Sequence, residues 1–177
     1  MDFSEIKQLV AGLEDRGARY IFQSAGSPSI TLFLTQTDRQ FPEYAYLHFT
    51  LQKGVKDAAR PQTVVMGSDS SIFRDGRPGF GAVRKEESTF KYWANKNTRD
   101  GIVYMVAIGW QSLADSALPA KLEAGKAGEI NWCTCCDNCV ELLIRQMPVD
   151  CVLVNKDYAR ALAEASKTEE RLKEKHT

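Results

Sequence analysis

The chain has 177 residues, 23 Lys plus Arg against 23 Asp plus Glu, and 44% hydrophobic residues. That apolar content excludes a disordered chain, and the zero net charge argues against a general nucleic-acid binder, which needs an excess of cations. The N-terminus has no apolar export segment, and the apolar run that begins at Ile102 and continues from Val103 to Ile108 is far short of the roughly 20 residues of a membrane span; the expectation is a cytoplasmic protein with no membrane partner.

In chain order, Phe3, Ile6, Val10 and Leu13 are spaced as one helical face, with Asp2 and Glu5 as a capping box and Gly17 as the stop. Arg19–Ser24 reads as a short strand. Tyr44, Leu47, Leu51, Val55 and Ala58 mark a second helical face, closed by Pro61. Thr63–Gly67 reads as a buried strand, followed by a loop rich in Gly and Ser from Gly67 to Val83. Phe90, Trp93, Ala94 and Asn97 form a third helical face, ended by Asp100-Gly101. Ile102–Ile108 is the most apolar strand, and Pro119 opens a short helix through Leu122. A helical stretch Val140–Ile144 follows, and from Asp157 the Ala-, Lys- and Glu-rich tail reads as a solvated helix or a frayed end. Strands alternating with helices predict right-handed crossovers and a parallel α/β sheet, with strands buried on both faces.

All five cysteines lie between 133 and 151. Two residues separate Cys133 from Cys136 and Cys136 from Cys139; eleven separate Cys139 from Cys151. A disulfide framework would be scattered along an exported chain, whereas one tight cluster points to a metal site. Three close thiolates with a distant fourth favour an iron–sulfur cluster; zinc, which more often pairs two close knuckles, and free buried thiols are the alternatives. Cys135 and Cys136 are adjacent, so either could be the second ligand; Cys136 is preferred. The two other candidate segments are the strand ends at Gly67-Ser68 and Gly109-Trp110, where backbone N–H groups could meet a phosphate. A glycine after a buried strand is also an ordinary turn residue. His48, mid-helix among apolar residues, reads as a packed or surface histidine, and Tyr104 and Trp93 read as core. No Ser–His–Asp set and no phosphate-binding Gly-x-x-x-x-Gly-Lys motif is present, and no residue stands out as catalytic.

The segment Met105-Val106-Ala107-Ile108-Gly109-Trp110-Gln111-Ser112-Leu113-Ala114-Asp115, then Leu118-Pro119-Ala120-Lys121-Leu122 and Ile130-Asn131-Trp132-Cys133, resembles the end of the old yellow enzyme family. More narrowly, it is similar to the NADH:flavin oxidoreductase branch that carries an iron–sulfur cluster, the branch of 2,4-dienoyl-CoA reductase and trimethylamine dehydrogenase. The resemblance is specific from 103 to 151, extends over about 60 to 155, and rests on element order alone before that.

The resemblance implies a partial (β/α)8 TIM barrel, about its last three βα units, over residues 1–130, a cluster-binding loop over 131–155, and a charged helical tail over 156–177. It also implies that Gly67, Ser68, Gly109 and Trp110 face the phosphate of FMN. Cys133, Cys136, Cys139 and Cys151 would hold a 4Fe–4S cluster. The implied reaction is hydride transfer from NAD(P)H through FMN to an activated double bond of a small-molecule substrate, or onward through the cluster. The chain departs from the family at three points. It has Gly109-Trp110 where the family has Gly-Arg, and tryptophan cannot pair with a phosphate charge. Two residues, not three, precede the third cluster cysteine. The chain is also shorter than the roughly 200 residues of the smallest barrels, so the family's first half, with its substrate-binding and proton-donating residues, is expected to be missing. A half-barrel exposes sheet edges, so a homo-oligomer or a complementing half-barrel is the expected partner.

Overall fold

Apolar side chains at helical spacing need a surface to cover, and short β-branched runs supply it. The computed structural model describes residues 2–26, 31, 34, 43–76 and 87–174. It divides into two compact units, Met1–Gly109 and Trp110–Thr177.

In the first unit, α1 (Ser4–Asp15) leads to β1 (Tyr20–Gln23), α2 (Glu43–Ala58) to β2 (Val64–Gly67), and α3 (Phe90–Arg99) to β3 (Met105–Val106). The three strands are parallel in the order β1-β2-β3. Tyr20 pairs with Val64 and Gln23 with Gly67; Met66 pairs with Met105 and Gly67 with Val106. One face of this sheet is covered. Val10 of α1 and Val55 of α2 pack with Val65 and Val103, and Ile6, Ile21, Ala58 and Val106 complete the layer. The aromatic rings of Tyr46, Phe49, Phe73 and Trp93 form a second cluster, with Trp93 stacked 5.2 Å from Phe49.

The opposite face is open. Strand side chains alternate, so Tyr20, Phe22, Val64, Met66 and Met105 share it, and Tyr20, Phe22 and Met105 are 69%, 51% and 55% exposed. The expectation of strands buried on both faces is corrected: helices α1 and α2 lie against a single face.

Other elements also differ from the sequence expectations. The capping box at the start of α1 does not form: Phe3 is its N-cap, and Asp2 instead accepts from Ser4 N–H at 2.9 Å. The C-terminal stop holds, with Gly17 at φ +97°. The buried face of α2 is Ala45, His48, Phe49, Gln52 and Val55, one position round from the predicted stripe. Strand β3 is two residues long because Ile102 and Val103 donate their N–H groups to the Asn97 carbonyl at the end of α3. Tyr104 is exposed, with the Lys56 ammonium 4.0 Å above its ring. Residues 77–83 of the predicted Gly-rich loop lie outside the described residues.

In the second unit, α4 (Trp110–Ala114) and α5 (Leu118–Glu123) precede the cysteine segment, and α6 (Asn138–Ile144) and α7 (Lys156–Glu174) follow it. Ala114, Leu118, Ile130 and Leu142 are its buried apolar residues. Arg145 pairs with Glu169 at 3.0 Å, tying the end of α6 to α7. The tail is thus a helix with no buried residue. Among the described residues no helix is long and apolar enough to cross a membrane.

Candidate functional site

Two regions gather the predicted site residues, one in each unit. In the first, the carboxyl ends of β2 and β3 are neighbours: Ala107 N–H donates to the Gly67 carbonyl at 2.8 Å. The loops carrying Gly67-Ser68 and Gly109 therefore leave the same edge of the sheet, and Trp110 is the next residue in the chain. Gly67 has a packing reason to be glycine. A Cβ there would collide with the Gln52 carboxamide and come within 2.7 Å of Val103 Cγ1. A Cβ at Gly109 would meet open space.

Behind Gly67 lies a buried polar layer. Gln52 Nε2 donates to the Ser68 carbonyl at 2.9 Å, and Ser68 Oγ donates to the Gln23 carbonyl at 3.4 Å. His48 is 1% exposed. Its Nε2 is 2.8 Å from the Leu34 carbonyl and 3.3 Å from Asp69 Oδ2. A carbonyl only accepts, so Nε2 carries a hydrogen. Asp69 lies two residues past the end of β2 and has φ +73°, with its carboxylate near His48 of α2. The reading of His48 as packed holds; its hydrogen-bond partner is the Leu34 carbonyl, and the Asp69 carboxylate, twenty-one residues on, lies beside the same nitrogen.

The second region is the cysteine segment. Two side chains four residues apart hold its entry, Gln111 on α4 and Asp115 just past its end. Gln111 is 1% exposed; its Nε2 donates to the Asn131 carbonyl and its Oε1 accepts from Cys133 N–H, both at 2.9 Å. Asp115 Oδ2 accepts from Lys121 Nζ at 2.6 Å and from Asn131 N–H at 2.8 Å, while Oδ1 accepts from Ala117 N–H at 3.1 Å. The Lys121 ammonium, followed by these backbone donors, holds the Asp115 carboxyl below the usual carboxylate range against the opposing effect of burial.

Beyond this entry, Cys135 (φ +53°) and Asp137 (φ +62°) take left-handed backbone and fold the chain into a tight turn ahead of α6. Cys135 N–H donates to Cys133 Sγ at 3.4 Å. Burial pushes the Cys139 thiol up, and the neighbouring Cys136 and Cys151 thiols push it further. Cys136 and Cys151 thus each lie close enough to act on Cys139. All five cysteines are free thiols, and Cys136 is the exposed one. Among the described residues, no three His, Cys, Asp or Glu side chains already converge as ligands of a metal ion. The donor set is nonetheless chemically suited to a soft metal or an iron–sulfur cluster, being all thiol and confined to one loop and its return at Cys151.

Sequence reasoning found the thiols and the strand ends but missed Gln111, Asp115, His48 and Asp69 as a polar framework. The signal for the first pair was their spacing of four, about one helical turn, from Gln111 on α4 to Asp115 just past its end. Comparison with protein families, with curated proteins and with solved structures yields no match.

Proposed function

We propose that this chain is the last three βα units of an FMN-binding (β/α)8 barrel of the old yellow enzyme type, joined to a loop that holds an iron–sulfur cluster. It would serve an NAD(P)H-dependent oxidoreductase that reduces an activated double bond in a small molecule. The observation that carries this reading is the one-sided sheet: parallel strands with α1 and α2 on one face and an apolar row on the other. Doubly wound sheets carry helices on both faces, whereas a barrel carries them only outside and fills its inside with strand side chains. Tyr20, Phe22, Val64, Met66 and Met105 would be part of that filling. Further strands, from the same polypeptide or a second one, would close the barrel.

In this reading Ser68 and the backbone around Gly67 and Gly109 hold the phosphate end of FMN at the carboxyl edge. Trp110, next in the chain, brings no charge for the phosphate. Cys133, Cys136, Cys139 and Cys151 bind the cluster. When bound, the flavin supplies hydride transfer and the cluster single-electron transfer. The polar layer of Gln52, Ser68 and Gln23 keeps the β2 loop in place, and Gln111 and Asp115 do the same for the thiol loop.

A second reading is a thiol-ligated metal module without flavin chemistry. It is favoured by Trp110 and by Gly67, whose lack of a side chain is already explained by Gln52 and Val103. Anaerobic purification with visible spectroscopy and analysis for iron, sulfide and zinc separates the two. The first reading expects flavin absorption, iron and sulfide, with the iron lost in Cys136→Ala and kept in Cys135→Ala. A colourless, zinc-containing protein overturns it in favour of the second.

A further inference from the structure

We propose that Gln111 is a positioning residue for the first thiol of the loop: its buried carboxamide grips the backbone on both sides of Trp132 and presets Cys133 before any metal arrives. This rests on the metal-binding reading only for what the thiol is preset to hold.

The geometry is that of a one-residue strand. In extended backbone the carbonyl of one residue and the N–H two residues later face the same side. Gln111 answers both with its own amide, donating to the Asn131 carbonyl and accepting from Cys133 N–H. One turn later, Asp115 takes Asn131 N–H. The N–H and carbonyl of Asn131 and the N–H of Cys133 are thus fixed from α4 and the residue that follows it, and Asp115 is itself held by Lys121, which also donates to the Glu129 carbonyl at 2.8 Å.

An apolar residue of the same size at 111 would fill the space equally well. It would leave the part-buried Asn131 carbonyl and Cys133 N–H without their carboxamide partner, which is costly. Burial of a glutamine with both amide ends used is therefore a requirement of the loop, not of the core. With its N–H held, the Cys133 backbone enters the loop from a fixed point. Its Sγ already accepts Cys135 N–H at 3.4 Å, which orients the side chain within the turn. This gives Cys135, the surplus cysteine, a role through its backbone that leaves its own thiol out of the ligand set.

The test compares Gln111→Met, which removes both hydrogen bonds, with Gln111→Glu, which keeps the acceptor for Cys133 N–H. Amide exchange and thiol alkylation are followed residue by residue in the reduced, metal-free chain, and cobalt(II) is titrated by its thiolate charge-transfer absorption. In Gln111→Met the Cys133 amide is expected to exchange about tenfold faster, with Cys133 alkylated faster relative to Cys151 and cobalt affinity lowered about tenfold or more. Leu142 should keep its protection, showing that the unit is still folded. Gln111→Glu should keep the Cys133 amide slow. Equal exchange and alkylation at Cys133 in the wild-type chain and Gln111→Met overturn the proposal, as does unchanged cobalt affinity in Gln111→Met. A wild-type chain that binds no cobalt and no iron, yet loses Cys133 protection in Gln111→Met, overturns the metal reading and upholds the clamp.

Discussion

Gly67→Ala tests why a glycine ends β2. The added Cβ would meet the Gln52 carboxamide and lie 2.7 Å from Val103 Cγ1. Gln52 can swing away, but only by giving up its hydrogen bond to the Ser68 carbonyl, worth about 1 kcal/mol. Val103 is β-branched, 2% exposed and part of the sheet core, so it must be displaced or strained, at roughly 1–3 kcal/mol. The expected loss is about 2–4 kcal/mol in total, read as a shift of the urea midpoint by circular dichroism. Gly109→Ala is the control: nothing lies within 4 Å of its added Cβ, so its effect should run from none to a gain of up to ~1 kcal/mol. In the double variant Gly67→Ala/Val103→Ala, the space vacated by Val103 should make the combined cost about 1 kcal/mol smaller than the sum of the singles. A Gly67→Ala chain within about 0.5 kcal/mol of the parent, or strict additivity in the double variant, would refute the packing argument and return Gly67 to the phosphate.

Glu14 accepts from Thr63 Oγ1 at 2.6 Å and from Arg60 N–H at 2.8 Å, and these bonds hold its carboxyl below the ordinary value of 4.5. Its stabilisation is therefore complete above that value and lost as pH falls through the lower folded one; the urea midpoint should drop between about pH 5 and pH 3, and a Glu14→Gln chain with the same slope would contradict this. The open sheet face should drive association, since covering each of Tyr20, Phe22 and Met105 is worth roughly 1–2 kcal/mol; sedimentation should show species larger than a monomer that Phe22→Lys diminishes, and a monodisperse parent monomer would count against it. Trp110→Arg should tighten FMN binding about tenfold by adding a charge-assisted bond to phosphate, measured by quenching of flavin fluorescence, and no change would remove this loop as a phosphate site.

The parallel sheet was legible because its strands are short apolar runs between helical faces. What was not legible is instructive in α2. Tracing apolar residues alone gave Tyr44, Leu47 and Leu51, while the face that is buried includes His48 and Gln52. Those two are tolerated inside because Leu34, Asp69 and Ser68, remote in sequence, supply their partners. The same reason hid Gln111 and Asp115: each looks like a surface residue until Asn131 and Cys133 come round to meet it. The apolar run Ile102–Ile108 was overextended as a strand because hydrophobicity does not reveal that the Asn97 carbonyl captures its first two N–H groups. The five thiols, in contrast, stand out from the sequence at once, since their spacing is written in order along the chain.

The aromatic cluster around Trp93 has an optical consequence. The chain contains three tryptophans: Trp93 lies in the first unit, while Trp110 and Trp132 lie in the second. Trp93 is stacked on Phe49 and edged by Tyr46, so its emission should redden when the first unit alone melts. Trp132 stands between the two backbone groups held by Gln111, next to Cys133, and its emission should be quenched by any coloured metal centre bound at that thiol. Replacing Trp110 with Phe therefore leaves two intrinsic fluorophores, one reporting the integrity of the sheet and the other the loading of the loop.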